Sequence, residues 1–402
     1  MKIGVPHIVR GESSKLISLI EDEVVGYQTE IFFSVPYEYE EYLVDEVADP
    51  FILASIPQAL VTHQDIVCES MSDVLYENYK SLIYLLSKVY KCAPIDIHPQ
   101  HIQHLDFSPK EIGTGFSGGI DSFSTFYNHY NADVPETLKI SVLALFNVGA
   151  YGNDYAKTKA CFDADKHRAA SFAQEVNLPL LFLDSNISSI CKHPSLLGFA
   201  QRSILAIASA VLSLQKLFKV YYISSSYTID KNVYYKADQS KYENIITPLL
   251  SNITRLCISE TYLNRVEKTR LLMNDKYCQQ YLYVCAADIY NEKYNTGYQK
   301  GDFPNCGECL KCQRTLVTLD FLGVLDKYDK CFDLEKYEHS RKAIYKDVYL
   351  KAKYDTFKKE ILDLMLEKGF HIPFIWKLQS CFKSFKYRLY KASSSTSSYP
   401  HS

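Results

Sequence analysis

Two stretches of this 402-residue chain gather residue types that can do chemistry. The first is Glu111-Ile112-Gly113-Thr114-Gly115-Phe116-Ser117-Gly118-Gly119-Ile120-Asp121-Ser122, which reads as a strand, a glycine turn and a helix start. Gly118 and Gly119 permit backbone angles that a side chain would forbid, so successive N–H groups can turn toward one point. The unpaired amides of the helix that opens near Ser122 favour an anion such as phosphate. No Gly-Lys-Ser/Thr follows after four variable residues, so this is not a Walker loop. A plain glycine turn is the alternative, and the order and context of these residues favour the anion cradle. Gly113 and Gly115 are unusual in its approach, because glycine weakens a central strand.

The second stretch is Asn305-Cys306-Gly307-Glu308-Cys309-Leu310-Lys311-Cys312. Two overlapping C-x-x-C steps place three thiolates around one centre, with Gly307 relieving the turn. A closed tetrahedral zinc site needs a fourth ligand, and Cys285, after the strand-like run Tyr281-Leu282-Tyr283-Val284, is the upstream candidate, with Cys278 and Cys331 in reserve. The competing chemistry is a [4Fe–4S] cluster with one open iron; zinc is the expected metal. Lys311, Arg314 and the amides of a helix over 313–322 would offset thiolate charge. Cys68, Cys92, Cys161, Cys191, Cys257 and Cys381 lie among apolar residues and read as core thiols.

These residues must be positioned by a scaffold. Strands and helices alternate from Phe107: a strand over Lys139–Asn147, a helix from about Tyr155 to Val176, a strand over Leu178–Asp184, a helix over Gly198–Leu217 and a strand over Lys219–Ser224. That alternation predicts an α/β fold with an open parallel sheet flanked by helices. Ligands of such sheets lie beyond the carboxyl ends of the strands, which selects Phe146-Asn147-Val148-Gly149, Asp184-Ser185-Asn186 and Ser224-Ser225-Ser226-Tyr227 as pocket rim. Before it, residues 1–108 read as an α+β domain with a strand over Tyr27–Val35, a partner over Lys15–Ile20 and an amphipathic helix over Asp73–Lys91. Substrate recognition or a homodimer contact is the role expected of it. The expected division is thus 1–108, then 109–330 with the loop and the cysteines, then a helical basic extension and disordered tail over 331–402. Within the extension, Phe374 to Arg388 has basic and apolar faces and no acid, read as a helix packed on its own protein in preference to a membrane or RNA contact.

Ser-Gly-Gly-x-Asp-Ser at Ser117–Ser122 resembles the PP-loop signature of the ATP pyrophosphatase superfamily, whose adenine nucleotide alpha hydrolase-like fold cleaves ATP to AMP and pyrophosphate. Asn264-Arg265-Val266-Glu267-Lys268-Thr269-Arg270, downstream of Thr247-Pro248-Leu249-Leu250, is similar to the Lys-Ala-Glu-Thr segment that follows a Thr-Pro-Leu strand in 7-cyano-7-deazaguanine synthases of queuosine biosynthesis. Arg265 falls where that family has its lysine. That family also carries a structural zinc on cysteines near its C-terminus, so the order of loop, Arg-x-Glu segment and cysteines matches over roughly half the chain. The resemblance implies that Ser117, Gly118, Gly119, Asp121 and Ser122 bind the pyrophosphate end of ATP with Mg²⁺, and that Phe146 and Asn147 meet the adenine. It also implies that Asp121, Ser122 and Arg265 serve catalysis and that Cys285, Cys306, Cys309 and Cys312 bind Zn²⁺. For Arg265 a solvated helix face is an equal reading, and for Lys268 and Arg270 it is the preferred one.

The expected function is an AMP-forming ligase or amidotransferase-type enzyme, which adenylates a small-molecule carboxylate or carbonyl oxygen for attack by ammonia or an amide-nitrogen donor. Two alternatives stand beside it: sulfur transfer to a nucleotide or transfer RNA through the cysteines, and a catalytically silent nucleotide-binding module in a polysaccharide or phage-defence assembly. A net charge of −3 gives the chain as a whole no electrostatic footprint for nucleic acid, so any such contact would be local. No apolar segment follows Met1 and the longest apolar helix candidate, Ser203–Leu214, is shorter than the ~20 residues a bilayer needs. A cytoplasmic location is therefore expected, which also suits twelve scattered, reduced cysteines.

Overall fold

The structure is a computed structural model describing residues 1–196, 202–229 and 239–379. It separates into two compact units: Met1–Leu263 with Tyr281–Tyr283, and Asn264–Gln280 with the chain from Val284.

The first unit is built on one sheet. Its strands, among the described residues, are β1 (Lys2–Ile3), β2 (His7–Arg10), β3 (Ser14–Asp22), β4 (Tyr27–Val35), β5 (Ile66–Ser72), β6 (Ile97–Gln103), β7 (Glu111–Gly115), β8 (Val142–Asn147), β9 (Leu180–Ser185), β10 (Phe218–Ser224) and β11 (Arg255–Ser259). They lie in the order β11-β10-β7-β8-β9-β4-β3-β1-β5-β6, with β2 paired to β3. β7 to β11 are mutually parallel. β4 joins them antiparallel, through Phe33 opposite Ser185 and Ser34 opposite Asp184. The flanking helices are α1 (Asp49–Val61), α2 (Asp73–Tyr90), α3 (Ile120–Tyr130), α4 (Tyr155–Glu175), α5 (Ser203–Leu212) and α6 (Gln239–Ile246).

The sequence pattern divides the chain near residue 108, but the sheet runs through that point. Residues 1–108 and the loop-bearing segment share one sheet and one apolar core, in which Leu16, Phe33 and Phe51 join Leu181, Leu205 and Phe218. The cysteines, expected in the same domain as the loop, belong to the second unit. Burial explains why the two halves of the sheet read so differently. β8 is buried along nearly its whole length, as a strand covered on both faces must be. In β3 exposure alternates, as it does when one face is packed and the other open.

Local chemistry sets the element ends. Ser72 caps α2 by accepting the Leu75 N–H at 3.2 Å, and Lys91, expected inside the helix, ends it in the left-handed conformation at φ 56°. The turn from β3 to β4 hangs on buried Asp22, which accepts the N–H groups of Val24 and Val25 at 3.1 and 3.0 Å. The helix expected over Gly198–Leu217 is described as α5, ending at Leu212; residues 197–201 lie outside the described residues. Thr247-Pro248-Leu249, a strand in the resembling family, forms a single 3₁₀ turn here, consistent with proline opening a helical turn.

The second unit is helical: α7 (Arg265–Leu272), α8 (Lys276–Tyr281, its last residue in the first unit), α9 (Ala287–Tyr294), α10 (Leu310–Leu322), α11 (Leu334–Lys351) and α12 (Thr356–Glu367). Residues 374–379 are helical with Phe374 and Ile375 exposed; the rest of the basic run and the tail lie outside the described residues. Among the described residues no helix is long and apolar enough to cross a membrane.

Gly113 explains the glycines of the approach strand. A Cβ there would lie 2.4 Å from Phe218 Cε1 and 2.8 Å from Tyr221 Cδ2, so the strand passes beneath two rings that leave no room for a side chain. Replacing Gly113 by alanine is expected to cost about 1–3 kcal/mol by overpacking, read as a lower urea midpoint with an unchanged far-ultraviolet dichroism spectrum.

Asp49 supplies a pH-dependent term. Its carboxylate is 1% exposed at the start of α1 and accepts the Ser72 N–H at 2.9 Å, and desolvation pushes its pKa from 3.8 to about 6. The folded chain therefore binds this proton more tightly than the unfolded chain does. The advantage is complete below pH 3.8 and is lost as pH rises through 6. Between pH 4 and pH 7.5 the wild type should lose about 2 kcal/mol relative to Asp49→Asn, measured as the difference between their urea stabilities at the two pH values.

Candidate functional site

The glycine turn expected to act as an anion cradle lies where β7 gives way to α3. The Phe116 N–H still bonds the Ala144 carbonyl of β8 at 2.8 Å, after which the chain leaves the sheet. Phe116 itself stacks on Phe172 of α4, with centroids 4.0 Å apart and planes 8° apart, and meets Phe123 of α3 edge-on at 5.0 Å. These rings fix strand and helices together behind the loop. Gly118 follows at φ +76°, where glycine is favoured, and a Cβ there would stand 3.3 Å from the Tyr283 Cβ. The Tyr283 N–H donates to the Gly118 carbonyl at 2.7 Å. Gly119 is the N-cap of α3 and, having no side chain, makes no side-chain cap bond to the first turn. The Ser122 hydroxyl donates to the Gly119 carbonyl at 2.9 Å and the Ser117 hydroxyl to Ser122 Oγ at 3.4 Å, while Asp121 sits in the first helical turn.

The expected rim residues lie at the strand ends. Asn147 lies opposite Asp184 in the β8–β9 register, and its Nδ2 donates to Asp184 Oδ1 at 2.8 Å. The other Asp184 oxygen accepts the Tyr155 hydroxyl at 2.8 Å. Phe146 is half-buried and stacks on Tyr221 with centroids 5.6 Å apart. The Ser224 hydroxyl, at the end of β10, lies 2.9 Å from the Thr125 hydroxyl of α3.

Sequence reasoning missed Glu260. It is 5% exposed, holds a left-handed φ of 50°, accepts the Thr125 hydroxyl at 2.8 Å and lies 3.3 Å from His129 Nε2. His129 in turn stacks on Tyr222 and meets Ser259 Oγ at 2.7 Å. This polar group pins α3, and so the helix end that forms the cradle, to the ends of β10 and β11. A glutamate after a five-residue strand offers no local signal of that role.

The segment from Asn264 belongs to the second unit. Asn264 and Glu267 form a reciprocal capping box, with bonds of 3.0 and 2.7 Å, so Glu267 serves the helix end. Arg265 donates its N–H to Glu360 at 3.2 Å and holds its guanidinium 5.4 Å from the Phe357 ring centre. Arg270 is on the expected solvated face, in a two-bond pair with Glu367 at 2.9 Å. Lys268 departs from expectation: it is 1% exposed, because α7 packs against both α10 and α12 and only one edge of it reaches water.

Cys285, Cys306, Cys309 and Cys312 are all buried, and their sulfurs lie within 4.8 Å of one another. Cys306 and Cys312 stand 3.9 Å apart and Cys309 and Cys312 3.4 Å. Four ligands at ~2.3 Å around one tetrahedral ion require separations of this order, so the set fits a single metal ion. Cys285 is the upstream member. Cys278 instead receives the Tyr328 hydroxyl at 3.8 Å and Cys331 donates to the Gln279 carbonyl at 3.2 Å. Backbone N–H groups of Cys306 and Ala287 point at the Cys285 sulfur, both at 3.4 Å, and that of Cys309 at the Cys306 sulfur at 3.2 Å. Hydrogen bonding, chiefly with Cys306, holds the Cys285 thiol below its ordinary value. Asn305 completes the frame: its Oδ1 accepts the N–H groups of Val284 and Cys285 at 2.8 and 3.0 Å, and its Nδ2 donates to the Cys331 carbonyl at 3.0 Å. For this reason the run Tyr281–Val284, expected as a strand, is not one: its N–H groups are taken by the Gly118 carbonyl and Asn305. Of the thiols expected in the core, Cys68 and Cys191 are buried while Cys92, Cys161 and Cys257 are half-buried; Cys381 lies outside the described residues.

Comparison with protein-family models, curated proteins and solved structures finds no match. Chemistry must therefore be read from these two arrangements themselves. For the cysteines the reading is metal binding: Cys309→Ser should lower both the bound metal, counted by elemental analysis, and the melting temperature. Cys257→Ser, outside the cluster, should change neither.

Proposed function

We propose that the chain is an AMP-forming, ATP-dependent ligase of the amidotransferase type, similar in reaction class to 7-cyano-7-deazaguanine synthase. The observation that carries this is the position of the glycine cradle. It follows β7, the strand at which the chain order reverses, since β8 and β9 extend the sheet on one side of β7 and β10 and β11 on the other. Ligands of open parallel sheets bind at that reversal, beyond the carboxyl ends of the strands. A helix start with no side-chain cap and a left-handed glycine before it is suited to the pyrophosphate end of a nucleotide.

In this reading the amides and hydroxyls from Ser117 to Ser122 hold the β- and γ-phosphates of ATP, and Asp121 holds Mg²⁺ against them. A carboxylate or carbonyl oxygen of a small molecule attacks the α-phosphorus, the bond to the β-phosphate breaks and pyrophosphate leaves. Ammonia, or nitrogen from an amide donor, then displaces AMP. The rim made by Phe146, Asn147 and Asp184 is the proposed seat of the nucleoside.

The cysteines are proposed to hold structural zinc. One ion suits sulfurs this close together, whereas iron and sulfide interposed between them would hold them farther apart. Burial of all four also argues against a sulfur-carrying role, which needs a thiol that a substrate can reach. Purified protein should accordingly be colourless with about one zinc per chain.

The decisive assay is pyrophosphate release from ATP in the presence of candidate acids and ammonia. Wild type should release it and Asp121→Ala should lose at least ~100-fold, as removal of a transition-state electrostatic group does. Turnover unchanged in Asp121→Ala would refute the assignment, and ATP binding without any release would favour a silent nucleotide-binding module.

A further inference from the structure

The cradle from Ser117 to Ser122 contains one acidic side chain, Asp121, and no basic one. Pyrophosphate carries several negative charges, and a helix N-terminus offsets only about half of one. Beyond the Mg²⁺ proposed at Asp121, a grip on it gains from a side-chain cation, and the first unit contains one beside the loop.

Arg168, on α4, lines the same cavity as Ser117 and Gly118. Its guanidinium carbon lies 3.3 Å from the centre of the Tyr283 ring, and the backbone of that same tyrosine donates to the Gly118 carbonyl at 2.7 Å. The residue that supports the arginine thus also fixes the first glycine of the loop. Asp165, which lines this cavity too, accepts from Arg168 Nη2, and its other oxygen accepts the Tyr151 hydroxyl at 2.8 Å. A guanidinium has five N–H donors in one plane. Stacking on a ring and a bond at one corner set that plane without consuming the remaining donors, and the side chain is 27% exposed.

We propose that Arg168 is the cation that grips the pyrophosphate end of ATP in this cradle, a role that rests on the ATP-dependent reading above. The planar fork matches phosphate oxygens, and its charge would stabilise the pyrophosphate that leaves as the α–β bond breaks. Tyr283 and Asp165 are positioning residues: one sets the plane of the fork and the other its rotation.

The test is calorimetric titration of the full chain, as purified, with magnesium pyrophosphate and separately with adenosine. Arg168→Met should weaken pyrophosphate binding about 10- to 100-fold, the loss of charge-assisted hydrogen bonds, and leave adenosine binding unchanged. Equal pyrophosphate affinity in the variant overturns the proposal, and so does a parallel loss of both ligands, which would mark a structural role. If the wild type binds neither pyrophosphate nor ATP, the ATP-dependent reading fails and this one falls with it. Should Arg168→Met lack the wild-type melting transition, Arg168→Lys carries the test. It keeps charge and stem but not the fork, so weaker pyrophosphate binding with adenosine unchanged is expected, and wild-type affinity overturns the proposal.

Discussion

The glycine turn after β7 is held from behind by aromatic rings, the constraint on which its proposed role depends. Phe116 stacks on Phe172 and abuts Phe123, so the end of β7, the start of α3 and the face of α4 form one rigid block. Tyr283 closes the other side through its bond to the Gly118 carbonyl. Between the two, Gly118 holds the left-handed conformation at φ 76°. Preorganisation of this kind lets dipoles act without reorganising when charge arrives.

The four-cysteine centre follows a different physics. Crowded thiols repel once ionised, and only a cation makes their proximity favourable. The protein prepares the site with backbone N–H groups aimed at sulfur and with Asn305, one side chain that ties the segment before Cys285 to the chain at Cys331. Second-layer hydrogen bonds of this sort orient ligands before the metal arrives. Lys336, 3.0 Å from Glu308 and 3.3 Å from the Cys306 carbonyl, adds positive charge close to the knuckle.

Continuity of the sheet across residue 108 changes how the amino-terminal region is understood. β4 pairs with β9 just where Asp184 and Ser185 enter the rim, and Asn186 bonds the β4 backbone through both ends of its amide, at 2.9 and 2.8 Å. The antiparallel half therefore braces the β9 end of the pocket. Its own far face is partly open, with Leu19, Val67 and Ile102 exposed.

Much of the local structure was legible in the sequence. Period-two and near-continuous apolar runs specify strands, and β4 spans Tyr27–Val35 as read; the helix α2 differs only in its cap at Lys91. The glycine turn and the cysteine set were legible too, because both depend on residue types at short, fixed spacings: the left-handed turn favours glycine at 118, and C-x-x-C steps bring sulfurs together within one turn. Tertiary structure alone decided the rest. Lys268 sits in a charged run, yet it is buried because other helices cover its face. Gly113 is glycine because Phe218 and Tyr221, more than a hundred residues away, fill its space. Glu260, Asn305 and Arg168 acquire their partners only when distant strands and helices meet, and no spacing along the chain encodes that meeting. Local propensity and spacing are properties of a segment; burial and partnership belong to the packed whole, and only the folded chain assigns them.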